Sequence, residues 1–250
     1  MSSLVSHHTE RGIATITIDS PANRNALSIG LLEDLRSLLA EIAGSDEARA
    51  VVLTAAGTTF CSGADLSGPI DEYAGAVGQL LTDLWSFPKP VVTAVNGHVR
   101  GGGIGLVAVA DVAVAVSRAT FCFSEVRLGL VPTMVAVPCV ERMTPRSVSR
   151  YFLTAEVFSA EAALASGLVT TVTGDDDLAA ATAEVTDALR LGEPGSLVQT
   201  KAFIRELAGY DVADGFRRAT ALSASLIGSA ASVEGLRAFA EKRPPAWARD

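Results

Sequence analysis

Cysteine, histidine and charge are all scarce in this chain, and each scarcity removes a class of function. Three cysteines (Cys61, Cys122 and Cys139) occur among 250 residues. Their spacing matches no metal-ligand pattern, and an odd count suits reduced thiols in a cytoplasm rather than a disulfide framework. The three histidines are His7, His8 and His98. The first two fall in what reads as a loose terminus, and His98 reads as a turn-packing side chain rather than a base. No histidine and acid arrangement surrounds Cys61, so that thiol is expected to be a small buried filler and not a nucleophile. Charged residues make up 19% of the chain with a net charge of −8, which argues against a nucleic-acid or anionic-membrane surface. No apolar run approaches the roughly 20 residues needed to span a bilayer. The start, Met1-Ser2-Ser3-Leu4, has no basic segment followed by an apolar core. The expectation is a soluble cytoplasmic protein without a metal or redox cofactor.

Apolar residues and glycine are what the chain does have. Residues of hydrophobic type make up 49%, enough for one sizeable core or a domain with an appendage. Two apolar runs break into small-residue turns. Ala50-Val51-Val52-Leu53 leads to Phe60-Cys61-Ser62-Gly63-Ala64-Asp65-Leu66. Pro90-Val91-Val92-Thr93-Ala94-Val95 leads to Asn96-Gly97-His98-Val99-Arg100-Gly101-Gly102-Gly103, which opens an apolar helical stretch over 104–110. Small residues let backbone N–H groups approach a ligand oxygen with no side chain between. A helix that opens on glycines adds unpaired N–H groups and the positive end of its dipole. Two such turns meeting in space would form an oxyanion hole. A dinucleotide loop at Gly101-Gly102-Gly103-Ile104-Gly105 fails on spacing, because the third glycine of G-x-G-x-x-G would fall on Leu106.

Around these turns the pattern predicts strands at 13–18, 50–54, 111–116 and 120–123. Ser28 can cap a helix carrying Leu31, Leu32, Leu35, Leu38, Leu39 and Ile42 at helical spacing, stopped by Gly44. Residues 68–87 read as looser, with a helix over 78–85. The second half reads as helical near 160–166, 178–191, 196–207, 212–227 and 233–242, with a lone strand at 169–172. Strand and helix alternation followed by a helical tail argues for an α/β core.

The landmarks Asn23-Arg24-Asn25-Ala26-Leu27, both turns, Ser124-Glu125-Val126-Arg127-Leu128-Gly129-Leu130, Glu161-Ala162-Ala163 with Gly167-Leu168-Val169, and the tail from Glu234 to Arg243 occur in order at compatible spacing. Together they resemble the enoyl-CoA hydratase/isomerase, or crotonase, family over nearly the whole chain. The resemblance implies a spiral of ββα repeats over residues 1–190 and a C-terminal helical region over 191–250 that makes trimer contacts. The assembly would be a trimer or a dimer of trimers. No repeat period is visible in the sequence itself. By motif position the oxyanion donors fall on the N–H groups of Ala64 and Gly102, each worth roughly 3 kcal/mol to a bound enolate. Ser62 and Leu66 match positions lining an adenine pocket. Arg24 and Ala26 lie in the loop reaching the CoA body, where Arg24 either binds a phosphate or is a solvated arginine. Lys242 carries the same pair of readings. Asp65, in the same CoA-binding turn, reads as holding that turn rather than as an acid. The partner implied is an acyl-CoA substrate, so coenzyme A enters only as part of the acyl group.

Hydratases of the best-known type use two glutamates. Here the second is Glu125, but the first position is Gly105. One carboxylate suits proton shuttling, hence a Δ3,Δ2-enoyl-CoA isomerase. The Ser124–Pro132 segment instead looks like a bacterial subset that includes methylglutaconyl-CoA hydratase-like enzymes, which also carry a small residue at the Gly105 position. Glycine there is expected to open volume for a branched or carboxylate-bearing acyl group, and the balance leans to hydration. A non-catalytic acyl-CoA-binding protein is the reading of another class. Asp71, Glu72 and Tyr73 would border the acyl pocket and could supply a second polar group there, with surface exposure the plainer account of them.

Overall fold

In the computed structural model, residues 4–65, 70–207, 209 and 211–248 are described. They form two compact units, 1–185 and 186–250 by chain position. The first unit opens with β1 (Val5–Glu10) and β2 (Ile13–Ile18), an antiparallel hairpin. Arg11 and Gly12 both take positive φ at its turn (50° and 81°), the conformation that matches a two-residue hairpin to strand twist. The terminus expected to be loose is therefore a strand, with His7 opposite Ile16 and His8 opposite Thr15. Its sequence hid this because an edge strand exposed on both faces shows no alternation.

Helix α1 (Ile29–Gly44) follows, with Ser28 Oγ accepting from the Leu31 N–H and the six predicted apolar residues all buried. Then a unit of two strands and a helix repeats. It comprises β3 (Ala50–Ala55), β4 (Thr59–Cys61) and α2 (Ile70–Trp85). Next come β5 (Val91–Val95), β6 (His98–Arg100) and α3 (Gly102–Val109), then β7 (Val112–Val116), β8 (Thr120–Cys122) and α4 (Thr133–Arg142). The first strands of the repeats join a six-stranded sheet, and the second strands lie side by side in parallel in a smaller one. Each repeat thus turns one corner, which is the spiral that no sequence period betrayed. Gly97 sits at such a corner, where a Cβ would lie 1.9 Å from the Thr58 carbonyl oxygen.

Helix α2 begins eight residues before the predicted start. Gly75 and Gly78 weaken the local helical signal, while Val77, Leu80, Leu81 and Leu84 bury one face at helical spacing. The unit continues with α5 (Pro145–Thr154), absent from the sequence reading. It ends with β9 (Phe158–Ser159), α6 (Ala160–Ser166) and β10 (Thr171–Thr173), which pairs in parallel with β7. The unit boundary falls within α7 (Leu178–Leu191).

The second unit holds α8 (Pro194–Leu207), α9 (Val212–Leu226) and α10 (Ala230–Ala240). Its tail is tied down by Arg243, whose guanidinium donates to both carboxylate oxygens of Glu234 at 2.7 and 3.0 Å. Among the described residues no helix is long and apolar enough to cross a membrane.

Candidate active site

The register of the small sheet builds the site. Cys61 pairs with Val99, and Val99 with Phe121. Three residues past Cys61 stands Ala64, three past Val99 stands Gly102, and four past Phe121 stands Glu125. The three candidate groups thus leave the same edge of the sheet on neighbouring strands, the C-terminal edge where ligands bind in α/β proteins.

Hydrogen bonds to the 23–27 loop fix the first turn. Leu27 N donates to Gly63 O (2.8 Å), and Asp65 N donates to Leu27 O (3.1 Å). Ser62 N donates to Arg24 O (3.2 Å), and Ser62 Oγ to Asn23 O (2.9 Å). Asn25 is buried; its Nδ2 donates to Ala56 O and Thr59 O, and its Oδ1 accepts from Ser20 N. Asn23 Nδ2 donates to Asp65 Oδ2 at 3.2 Å. Asp65 therefore does brace the turn. Ala26 is buried, whereas Arg24 is exposed, with its backbone in the left-handed region (φ 56°). Leu66 lies outside the described residues.

The second turn runs through Gly101, whose φ of 46° and ψ of −122° suit glycine alone, into the N-terminus of α3. A Cβ on Gly101 would sit 3.9 Å from Gly63 Cα and 3.5 Å from Glu125 Oε1, so both turns and the carboxylate converge there. A Cβ on Gly103 would fall 2.5 Å from Cys61 Cβ, which makes glycine obligatory against that buried residue. Between these braced atoms, the N–H groups of Ala64 and Gly102 have no hydrogen-bond partner among the described residues. Two free main-chain donors thus stand just beyond adjacent strand ends.

Glu125 opens the 3-10 turn Glu125–Leu128 and is half-buried. Its Oε2 is buried without a partner. Burial raises its carboxyl above the ordinary value, opposed by a hydrogen bond from its own backbone. Cys61 is fully buried and its thiol is pushed up to about 12, consistent with a filler. His98 Nδ1 shares a 2.9 Å hydrogen bond with Thr120 Oγ1 on the exposed side of β6, away from chemistry. Lys242 is exposed in the second unit. No cluster of three or more potential metal-ligating side chains occurs among the described residues.

Two expectations need correcting. Glycine at 105 does not open volume: a Cβ there would meet Leu81 Cδ1 at 2.9 Å, Leu81 Cδ2 at 3.1 Å and Val135 Cγ1 at 3.2 Å. Leu81 and Val135 crowd the position from which a second carboxylate side chain would start. Tyr73 is no surface residue either. It packs against the core, its hydroxyl is buried and unpartnered, and that oxygen stands 3.1 Å from the Cβ position of Gly102. The signal was an aromatic inside an amphipathic helix, lost because that part of α2 read as loop.

A sequence profile described as enoyl-CoA hydratase/isomerase matches residues 8–250. The mouse mitochondrial enoyl-CoA hydratase domain-containing protein 3 is 30% identical, covering 98% of this chain and 84% of its own. Carnitinyl-CoA dehydratase of Citrobacter koseri is 31% identical, with 96% and 97% covered. Among solved structures, an enoyl-CoA hydratase from Shewanella pealeana superposes with a TM-score of 0.92 at 31% identity, covering 98% of this chain and 96% of that one.

Proposed function

The chain belongs to the enoyl-CoA hydratase/isomerase family, and within it we propose a hydratase-type lyase acting on an acyl-CoA thioester. The observation that carries this reading is the pair of N–H groups at Ala64 and Gly102, unpartnered among the described residues, beside the partly buried Glu125 carboxyl. The thioester oxygen accepts from both donors, which stabilise it as it gains charge in the enolate. Glu125, ionised, takes a proton from water as the oxygen adds to the β-carbon. The enolate then reforms the thioester carbonyl as its α-carbon takes that proton from Glu125. One water is consumed, and the carboxylate is regenerated. A raised pKa makes Glu125 a better base while keeping the acid form within reach. The names hydratase and dehydratase on similar proteins support adding or removing water as the class of chemistry.

Arg24 is assigned to a phosphate of the CoA body. Support comes from its exposure and from the Ser62 N–H bond that ties its backbone to the oxyanion turn. A trimer, or a dimer of such trimers, completes the proposal. It is supported by large exposed apolar residues such as Val131 (71%) and Phe239 (85%).

One observation favours a second reading, the Δ3,Δ2-enoyl-CoA isomerase: the space at Gly105 is filled, leaving a single carboxylate to move a proton between carbons. Incubation with crotonyl-CoA, 3-methylglutaconyl-CoA and a 3-enoyl-CoA in deuterated water separates the two. A mass gain of one water supports the lyase. Double-bond migration without that gain replaces it by the isomerase. Tight thioester binding with no conversion of any of the three argues for a protein that only binds acyl-CoA.

A further inference from the structure

The site contains two buried polar atoms without partners, Tyr73 Oη and Glu125 Oε2. Both side chains reach the second glycine turn. Glu125 Oε1 lies 3.5 Å from the Cβ position of Gly101, and Tyr73 Oη lies 3.1 Å from that of Gly102. A phenol buried without a partner costs the free protein the desolvation of its hydroxyl. Burial, together with the charges of Glu125 and Asp65, holds that phenol protonated, so it stands as a donor. Leu81 and Val135 crowd the Cβ position at Gly105, and among the described residues Tyr73 and Glu125 both bring a polar side chain to the second turn.

We infer that Tyr73 is a specificity-determining residue whose hydroxyl donates to an oxygen on the β-carbon of the acyl group, selecting acyl-CoA thioesters that carry β-oxygen. The inference rests on the thioester reading above and adds what that reading leaves open: how a site with one carboxylate holds the second end of the reacting unit. Glu125 serves the proton, and Tyr73 grips the oxygen that arrives with water or departs with it. A ligand lacking that oxygen leaves the phenol as it stands in the free protein, buried and unpaired, and gains nothing from it, whereas a β-oxygen supplies the missing partner.

The test compares acetoacetyl-CoA with butyryl-CoA. Both have four acyl carbons, neither has a double bond to hydrate, and only the first carries β-oxygen. Calorimetric titration of the full chain is expected to show acetoacetyl-CoA bound about tenfold more tightly. Tyr73→Phe is expected to bring the two within about twofold, with butyryl-CoA binding unchanged. The free variant should melt no lower than the parent, since the lost hydroxyl had no partner. Equal affinities in the parent overturn the inference, as does a Tyr73→Phe variant that weakens both thioesters alike. A lower melting temperature for the variant also overturns it, by revealing a partner in the free protein. Failure of the parent to bind either thioester overturns the inference and the thioester reading together.

Discussion

Restoring the absent carboxylate by Gly105→Glu is the substitution on which sequence and structure give opposite expectations. By sequence alone, a glutamate at 105 completes the acid pair and speeds hydration. In the folded chain the Cβ alone would come within 2.9 Å of Leu81 and 3.2 Å of Val135. Overpacking of this kind costs about 1–3 kcal/mol. Replacing a glycine inside a helix returns about 1 kcal/mol. A carboxyl driven among apolar side chains, even protonated, adds about 1–3 kcal/mol when it finds no partner. The sum centres on about 3 kcal/mol. For a protein of this size that lowers the melting temperature by about 6–12 °C. Thermal unfolding and crotonyl-CoA hydration should be measured on the same preparations. The expected result is a less stable protein with no gain in rate. Adding Leu81→Ala to Gly105→Glu should recover part of the loss, because the far end of Leu81 makes the nearest contact. A Gly105→Glu protein that melts with the parent and hydrates faster would refute the claim that this space is filled.

Glu125→Gln should lower turnover by about 10²–10⁴-fold with acyl-CoA binding retained, because only proton transfer fails; kinetics with calorimetric binding checks it. The acid limb of kcat/KM should lie above the ordinary carboxyl value of 4.5, since burial raises the Glu125 pKa. That shift also has a sign in stability. An acid whose folded pKa is raised gives stability that is present below the unfolded value and lost as pH rises through the folded one. Glu125→Gln should therefore be the more stable protein at neutral pH, and its advantage should shrink in acid; denaturant melts across pH measure this. Gly97→Ala puts a methyl 1.9 Å from the Thr58 carbonyl, a backbone clash that should leave little soluble protein on expression. Light scattering of the purified chain at several concentrations should give the mass of a trimer or of two trimers, and a monomer throughout would remove that part of the proposal.

How much of this was legible in the sequence depended on the range of the interaction. Helix α1 was readable because its cap and its apolar stripe are local. The glycine turns were readable because only small residues fit there, as the Gly101 conformation and the Gly103 contact with Cys61 bear out. Three features were not readable. Strand β1 takes its order from a partner strand rather than from its own exposed residues. The start of α2 is masked by Gly75 and Gly78. The packing at Gly105 is set by Leu81 and Val135, more than twenty residues away on either side. A glycine in a sequence signals a missing side chain, but not whether the space is empty or already taken.

The parallel register of β4, β6 and β8 carries a consequence for what can vary in this site. Two of its three groups are main-chain N–H groups, placed by strand ends that the sheet holds side by side. Substituting the Ala64 side chain cannot delete its donor, and Gly102 is limited by the Tyr73 hydroxyl and Leu27, which crowd its Cβ position. On the proposed reading, stabilisation of a thioester oxygen is a property of the corner geometry and is insensitive to ordinary side-chain exchange. The fate of the proposed enolate would instead depend on which side chains stand around that fixed pair. Here these are Glu125, raised by burial toward useful basicity, Tyr73 with its unpaired hydroxyl, and the apolar plug at Gly105. Changing the reaction while keeping the fold should therefore require changes at these positions rather than in the turns, whose main-chain groups are set by the sheet register.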